Sequence, residues 1–155
     1  MSFAEDFYRY GKAIFIEFPE IEHDWTLSDG NCELFVPAFS ASGFDIRFVF
    51  ERDTVTVIWG IWHSHMDLDE SGGDTKTRIE NLFGLLRDML SPNMRIRELY
   101  AGSRPYRGFL ETFDGKVWAV EEENGLLFWN YFGKRSVRTY SNSVLQGRLS
   151  KGDSR

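Results

Sequence analysis

The segment Phe44-Asp45-Ile46-Arg47-Phe48-Val49-Phe50-Glu51 constrains this chain more than any other. Phe44, Ile46, Phe48 and Phe50 recur every second residue. Successive side chains of a β-strand point to opposite faces, so this spacing makes one face aromatic and buried. Arg52-Asp53 then reads as a tight turn into residues 54–64. There Val55, Val57, Trp59 and Ile61 share one parity, and Thr54, Thr56, Ile58, Gly60 and Trp62 share the other. The two segments predict an antiparallel hairpin with a greasy side.

The surrounding segments predict an α+β chain. Ser2 and Glu5 form a capping-box pair for a helix over residues 3–17, with Phe3, Phe7, Tyr10 and Ile14 at helical spacing and Pro19 beyond its end. Asp29-Gly30 marks a turn, and residues 32–38 read as a short strand. Asp74 is placed to cap a second helix reaching about Leu90, with Ile79, Leu82, Phe83, Leu86, Met89 and Leu90 as its apolar stripe. Residues 94–101, 106–113, 116–121, 126–131 and 136–140 are strand candidates. Asp114-Gly115 and Asn124-Gly125 are hairpin signals, because type I′ turns need positive φ at both central positions. Tight turns imply antiparallel pairing. The expected architecture is a curved antiparallel sheet of about six to eight strands with two helices packed on one face, in a single domain over 1–148 with a disordered tail over 149–155.

Charge and composition narrow the function classes. The 155 residues carry a net charge of −6, unevenly spread. Residues 1–90 hold 7 Lys+Arg against 17 Asp+Glu, and residues 91–155 hold 11 against 7. An acidic front half is repelled by phosphate backbones, so nucleic acid is not expected as a partner. It favours a basic protein instead. No apolar run approaches the ~20 residues of a membrane span. The acidic start Met1-Ser2-Phe3-Ala4-Glu5-Asp6 does not read as a signal peptide. One cysteine, Cys32, allows no internal disulfide. A cytoplasmic location is the resulting expectation.

The segment His63-Ser64-His65-Met66-Asp67-Leu68-Asp69-Glu70 is the main candidate for chemistry. Residues two apart on a strand face the same way, about 6.5–7 Å apart. Two such imidazoles can converge on one zinc ion, since Zn–N bonds are ~2.0–2.1 Å. His63, His65 and Asp74 are the candidate metal ligands, and zinc the alternative to no cofactor. The same histidines can equally be hydrogen-bonded side chains where a core strand emerges. Trp62, Asp67, Asp69, Glu70, Trp129 and Tyr131 are candidate binding residues for a protein partner. Trp118, Phe128, Trp129 and Tyr131 lie on the late strand candidates, and the segment from Leu126 to Tyr131 is apolar in both parities, which suggests either burial between layers or an exposed recognition patch. Arg95, Arg97, Arg104, Arg107, Arg135 and Arg138 can rim such a patch, since Arg with Trp and Tyr is interface hot-spot chemistry, and they can equally be ordinary solvated residues of strand exteriors.

The stretch Trp59-Gly60-Ile61-Trp62-His63-Ser64-His65, with Ser71-Gly72-Gly73-Asp74 before a helix, resembles the motif of JAMM-type metalloproteases. That resemblance implies His63, His65 and Asp74 as zinc ligands, Ser71 supporting an oxyanion, and Glu33 as the upstream base. The His-x-His-x-Asp part also resembles the metallo-β-lactamase motif, with Leu68 where that family has another His. Residues 44–67, Arg95-Ile96-Arg97-Glu98, and Lys134-Arg135-Ser136-Val137-Arg138-Thr139-Tyr140-Ser141-Asn142 resemble a group of uncharacterised small bacterial proteins with a Trp-His-x-His strand end. Some similar small acidic α+β domains are immunity proteins of toxin systems. The expected function is a non-enzymatic protein-binding module, an immunity-type protein neutralising a basic partner. The alternative is a zinc-dependent hydrolase using His63 and His65.

Overall fold

A computed structural model describes residues 2–67, 73–126 and 132–145. Among them are two helices and nine strands, in two antiparallel sheets of five and four strands. The α+β class is therefore as expected. The single sheet of six to eight strands is not: the strands divide between two open sheets, and the chain divides into two compact units, Met1–Pro37 with Asp45–Arg87, and Ala38–Phe44 with Asp88–Arg155.

In the first unit, helix α1 (Phe3–Glu17) begins with a capping box. Ser2 accepts from the Glu5 N–H, and the Glu5 carboxylate accepts from the Ser2 N–H at 2.7 Å. Five strands follow in sequential order: β1 (Asp24–Ser28), β2 (Asn31–Val36), β3 (Ile46–Glu51), β4 (Thr54–Trp59) and β5 (Trp62–Asp67). The β1–β2 turn is Asp29-Gly30, both with positive φ, as a type I′ hairpin requires. β1 was not anticipated, because Asp24, Thr26 and Ser28 make it read as loop. Only Trp25 and Leu27 share the parity of the buried side.

The buried face of this sheet carries Cys32, Leu34, Val36, Ile46, Phe48, Phe50, Val55, Val57 and Trp59, all essentially inaccessible. Phe7 of α1 fits against it, with ring centroids 4.3 Å from Phe50 and 5.9 Å from Phe48. Helix α2 (Thr75–Met89) packs Phe83 on Phe7 at 4.6 Å and near Tyr10 at 5.2 Å. Its expected stripe, Ile79 to Leu90, is buried throughout. Full burial of each such side chain is worth about 1.5–3 kcal/mol, so this cluster dominates the first unit's stability.

Residues 54–64 are not one strand. Gly60, with φ of 65°, sits in a two-residue turn between the paired Trp59 and Trp62. That is the position where tight hairpins take glycine. Ile61, expected in the core, lies in the turn and is 63% exposed. The turn also reverses the parity of all that follows.

The second unit contains β6 (Met94–Ala101), β7 (Arg104–Phe113), β8 (Trp118–Gly125) and β9 (Arg135–Tyr140), in the order β8-β7-β6-β9. The β7–β8 connection falls at Asp114-Gly115 but is not the expected two-residue type I′ turn: Phe113 pairs with Trp118 across residues 114–117, only Gly115 has positive φ, and the Asp114 carboxylate closes the loop by accepting from Lys116 and Val117 N–H. Those bonds hold its carboxyl below the usual aspartate range. Asn124-Gly125 makes no turn. Gly125 pairs with Arg107, and the Leu126 N–H donates to the Tyr106 carbonyl, so ladder bonds prevail over local turn preference. The rest of the expected strand over 126–131, and the tail over 149–155, lie outside the described residues.

Candidate functional site

His63 and His65 are the paired histidines whose residue type and spacing suggest chemistry. Both lie on β5, and the Gly60 turn places His63 opposite Ile58 and His65 opposite Thr56. They therefore stand on the face away from the core, not on the face of Val55, Val57 and Trp59 as a continuous strand would have placed them. Directly opposed residues share a face. Across the sheet the row runs Phe35, Arg47, Ile58, His63, and beside it Glu33, Val49, Thr56, His65. The imidazoles are edge to face, with centroids 5.0 Å apart. His65 Nδ1 shares a 2.9 Å hydrogen bond with the Thr56 hydroxyl. Arg47 lies over the Phe35 ring at 4.1 Å and pairs with Glu33.

Asp74, the expected third ligand, is occupied otherwise. Its carboxylate accepts from the Thr77 N–H at 2.7 Å, capping α2, and that bond lowers its pKa. Among the described residues no group of three His, Cys, Asp or Glu side chains is arranged to hold a metal ion. Glu33 is ion-paired with Arg47 on an outward strand position. Trp62 is 3% exposed and packs near Trp59 at 6.3 Å. Asp67 takes the last position of β5, opposite Thr54. Leu68, Asp69, Glu70, Ser71, Gly72, Trp129 and Tyr131 lie outside the described residues.

The second unit holds a more developed constellation. On β6, Arg95 and Arg97 project from one face. Opposite them on β7 stand Glu111 and Phe109. Arg95 Nε donates to Glu111 Oε2 at 2.8 Å, and Arg97 Nε to Glu111 Oε1 at 2.7 Å. The Arg95 guanidinium lies 3.9 Å from the centroid of Trp118, and that of Arg97 lies 4.2 Å from Phe109. Phe113 backs Trp118 at 5.1 Å. Glu111 is only 4% exposed, yet both its oxygens are satisfied. Burial is the largest single influence on its carboxyl and pushes the pKa up, but the bonds and charges of Arg97 and Arg95 together outweigh it and hold the pKa below the usual glutamate value. Two guanidiniums sharing one carboxylate leave a fixed net charge of one positive unit.

Beside this cluster lies a cleft of about 580 Å³, with Arg95 and Trp118 in its wall and Phe39, Thr139, Tyr140 and Ser141 around it. Its shape is held by Asn142, a residue that is 4% exposed. Asn142 Oδ1 accepts from the Phe44 N–H at 3.0 Å, and Nδ2 donates to the Met89 carbonyl at 3.2 Å. The Ser141 N–H donates to the Ser42 carbonyl at 2.8 Å. These bonds tie residues 38–44 to the end of β9, so the cleft is largely pre-formed.

On the other face of β6, Glu98 and Tyr100 are buried. Tyr100 donates to Glu98 at 2.6 Å and lies 3.2 Å from the Tyr140 hydroxyl. Burial, and then the bond to Glu98, push the Tyr100 pKa up.

The sequence offers Arg95 and Arg97 only as candidates to rim a patch over residues 126–131, and does not point to Glu111, to Trp118 as the partner of Arg95, to Asn142 or to the serines of the cleft. The missing signal is the β-bulge at Leu99/Tyr100. Without that shift Arg95 would oppose Leu110 rather than Glu111. No protein-family model matches the chain, no curated protein is found similar to it, and no solved structure matches it.

Proposed function

We propose that this chain is a non-enzymatic protein-binding module whose recognition surface includes the outward face of the β8-β7-β6-β9 sheet. The observation that carries this reading is the ordered Arg95–Glu111–Arg97 bridge, with each guanidinium laid on an aromatic ring, Trp118 and Phe109. Arg and Trp supply most of the energy at many interfaces. Here their side chains are already immobilised, so a partner does not have to bear the ordering cost. Val120 and Val137 add exposed aliphatic surface to the same sheet. The narrower form, an immunity-type protein neutralising a basic partner, draws on the resemblance to small bacterial proteins and on the acidic charge of residues 1–90.

The test is affinity purification of the tagged chain from its own cell extract, compared with the Arg95→Ala/Trp118→Ala double variant. A protein retained by the wild type and lost from the folded variant supports the module. Identical partner sets for the two proteins would sink it.

A second reading, a zinc-dependent hydrolase, is favoured by one observation: the His63 and His65 rings stand together on one sheet face. Elemental analysis separates the two. Stoichiometric zinc, lost on replacing both histidines with Ala, replaces the module by the hydrolase, and metal-free protein removes that option.

A further inference from the structure

We propose that the cleft beside Arg95 receives an acidic side chain from an extended peptide segment of the partner, with its carboxylate on Arg95 and a neighbouring apolar side chain against Trp118 and Phe39. This deepens the binding-module reading and rests on it.

Charge is the first argument. Among the described residues that line the cleft, Arg95 is the one charged side chain and none is a carboxylate. Glu111 takes the Nε edge of Arg95, so a second carboxylate approaches the terminal Nη atoms. The Arg95–Glu111–Arg97 cluster has one unbalanced positive charge, which a single carboxylate neutralises. A phosphate would leave an excess negative charge in the same place. Arg–carboxylate bonds are strengthened by both charges and by the planar fit of the two groups.

Hydrogen-bonding capacity is the second. Ser40, Ser42, Thr139, Ser141 and Ser143 surround the cleft with hydroxyls that can donate or accept. Ser40 and Ser42 share a 3.0 Å bond, and Ser141 and Ser143 a 3.1 Å bond. Such a rim suits the alternating N–H and C=O groups of an extended backbone.

Apolar contact is the third. Phe39 is 68% exposed at the edge of the cleft, and Trp118 presents a ring already stiffened by Arg95 and Phe113. A volume of about 580 Å³ accommodates two side chains and the backbone between them. The partner as a whole can still be basic, since the cleft asks only for one acidic residue at its point of contact.

The experiment is an NMR titration of the ¹⁵N-labelled full chain with Ac-Gly-Glu-Leu-Gly-NH2, its Gln and Lys counterparts, and inorganic phosphate, all at one ionic strength. The Glu peptide is expected to shift the Trp118 indole N–H and the Ser40 and Ser141 amides saturably. The Gln peptide should bind about tenfold more weakly, the loss of one charge-assisted pair. The Lys peptide should not bind there, and Arg95→Gln should abolish the response. Equal binding of the Glu and Gln peptides, shifts confined to other residues, or phosphate binding more tightly than the Glu peptide would each overturn the assignment. Should Arg95→Gln lose its dispersed spectrum, Trp118→Ala supplies the variant, with weakened Glu-peptide binding expected and unchanged binding overturning the proposal. A partner held through Arg95 and Trp118 without any acidic-peptide response would sink the cleft assignment and leave the module. Acidic-peptide binding without a variant-dependent partner would do the reverse.

Discussion

The side-chain oxygen of Asn142 accepts the backbone N–H of Phe44 across 98 residues of sequence, at 3.0 Å, in a site closed to water. Gly43 is shaped to the same contact, for a Cβ there would stand 2.5 Å from that oxygen. Asn142→Ala is expected to destabilise the protein by about 1–3 kcal/mol, the cost of leaving buried backbone groups unpaired. Gly43→Ala should also destabilise, but less in the Asn142→Ala background than in the wild type. A double-mutant cycle by urea denaturation checks this, and strict additivity would show that the two residues do not act through one contact.

Glu111 governs part of the acid sensitivity. Its folded-state pKa is held below the unfolded value of about 4.3. The ionised carboxylate therefore contributes stability that is fully present above about pH 4.3 and is lost as pH falls through the folded-state pKa. Denaturation measured from neutral pH down to about pH 3 should show a fall that is shallower in Glu111→Gln than in the wild type. The variant is also expected to be less stable at pH 7, by about 1–3 kcal/mol, since the Gln amide keeps one acceptor oxygen for two guanidiniums and no charge. Parallel pH profiles would remove Glu111 from this role.

Two helical glycines should respond with opposite sign. A Cβ on Gly11 of α1 would lie 2.5 Å from the ring of the half-buried Trp25 and 2.9 Å from the buried Phe83. Helix propensity favours Ala over Gly by about 1 kcal/mol, but forcing a core apart costs about 1–3 kcal/mol. Gly11→Ala should lower the melting temperature. Among the described residues, no atom beyond the helix's own backbone lies within 4 Å of the Cβ position of Gly84 in α2, so Gly84→Ala should raise stability by about 0.5–1 kcal/mol. Thermal unfolding of both variants is the measurement.

Cys32 should be inert in the native state. It is buried on β2, and burial, with Glu33 adding to it, pushes the thiol up to about 11. About a thousandth of it is ionised at pH 8, and the thiolate is the reactive form. Labelling by a disulfide reagent at pH 8 should track unfolding by urea. Rapid labelling without denaturant would contradict the burial.

Much of the local structure was legible in the residues. The Ser2–Glu5 cap, the α2 stripe from Ile79 to Leu90, the aromatic parity of Phe44 to Phe50, the Asp29-Gly30 turn and the place, though not the type, of the Asp114-Gly115 turn all involve neighbours a few positions apart. Helix and strand periods act within that range. The His63–His65 pairing on one face was legible for the same reason, because two residues of one strand need no distant partner.

What the tertiary structure alone decided are the features that depend on register. A strand's side-chain period is two, so one turn or one bulge moves every later residue to the other face. The turn at Gly60 turned both histidines away from the core, and the bulge at Leu99/Tyr100 brought Glu111 under Arg95. The division into two sheets, and Asn142 reaching Phe44, depend likewise on contacts between segments far apart in sequence. Sequence periodicity set which residues could be inward or outward, and long-range pairing chose which of them meet.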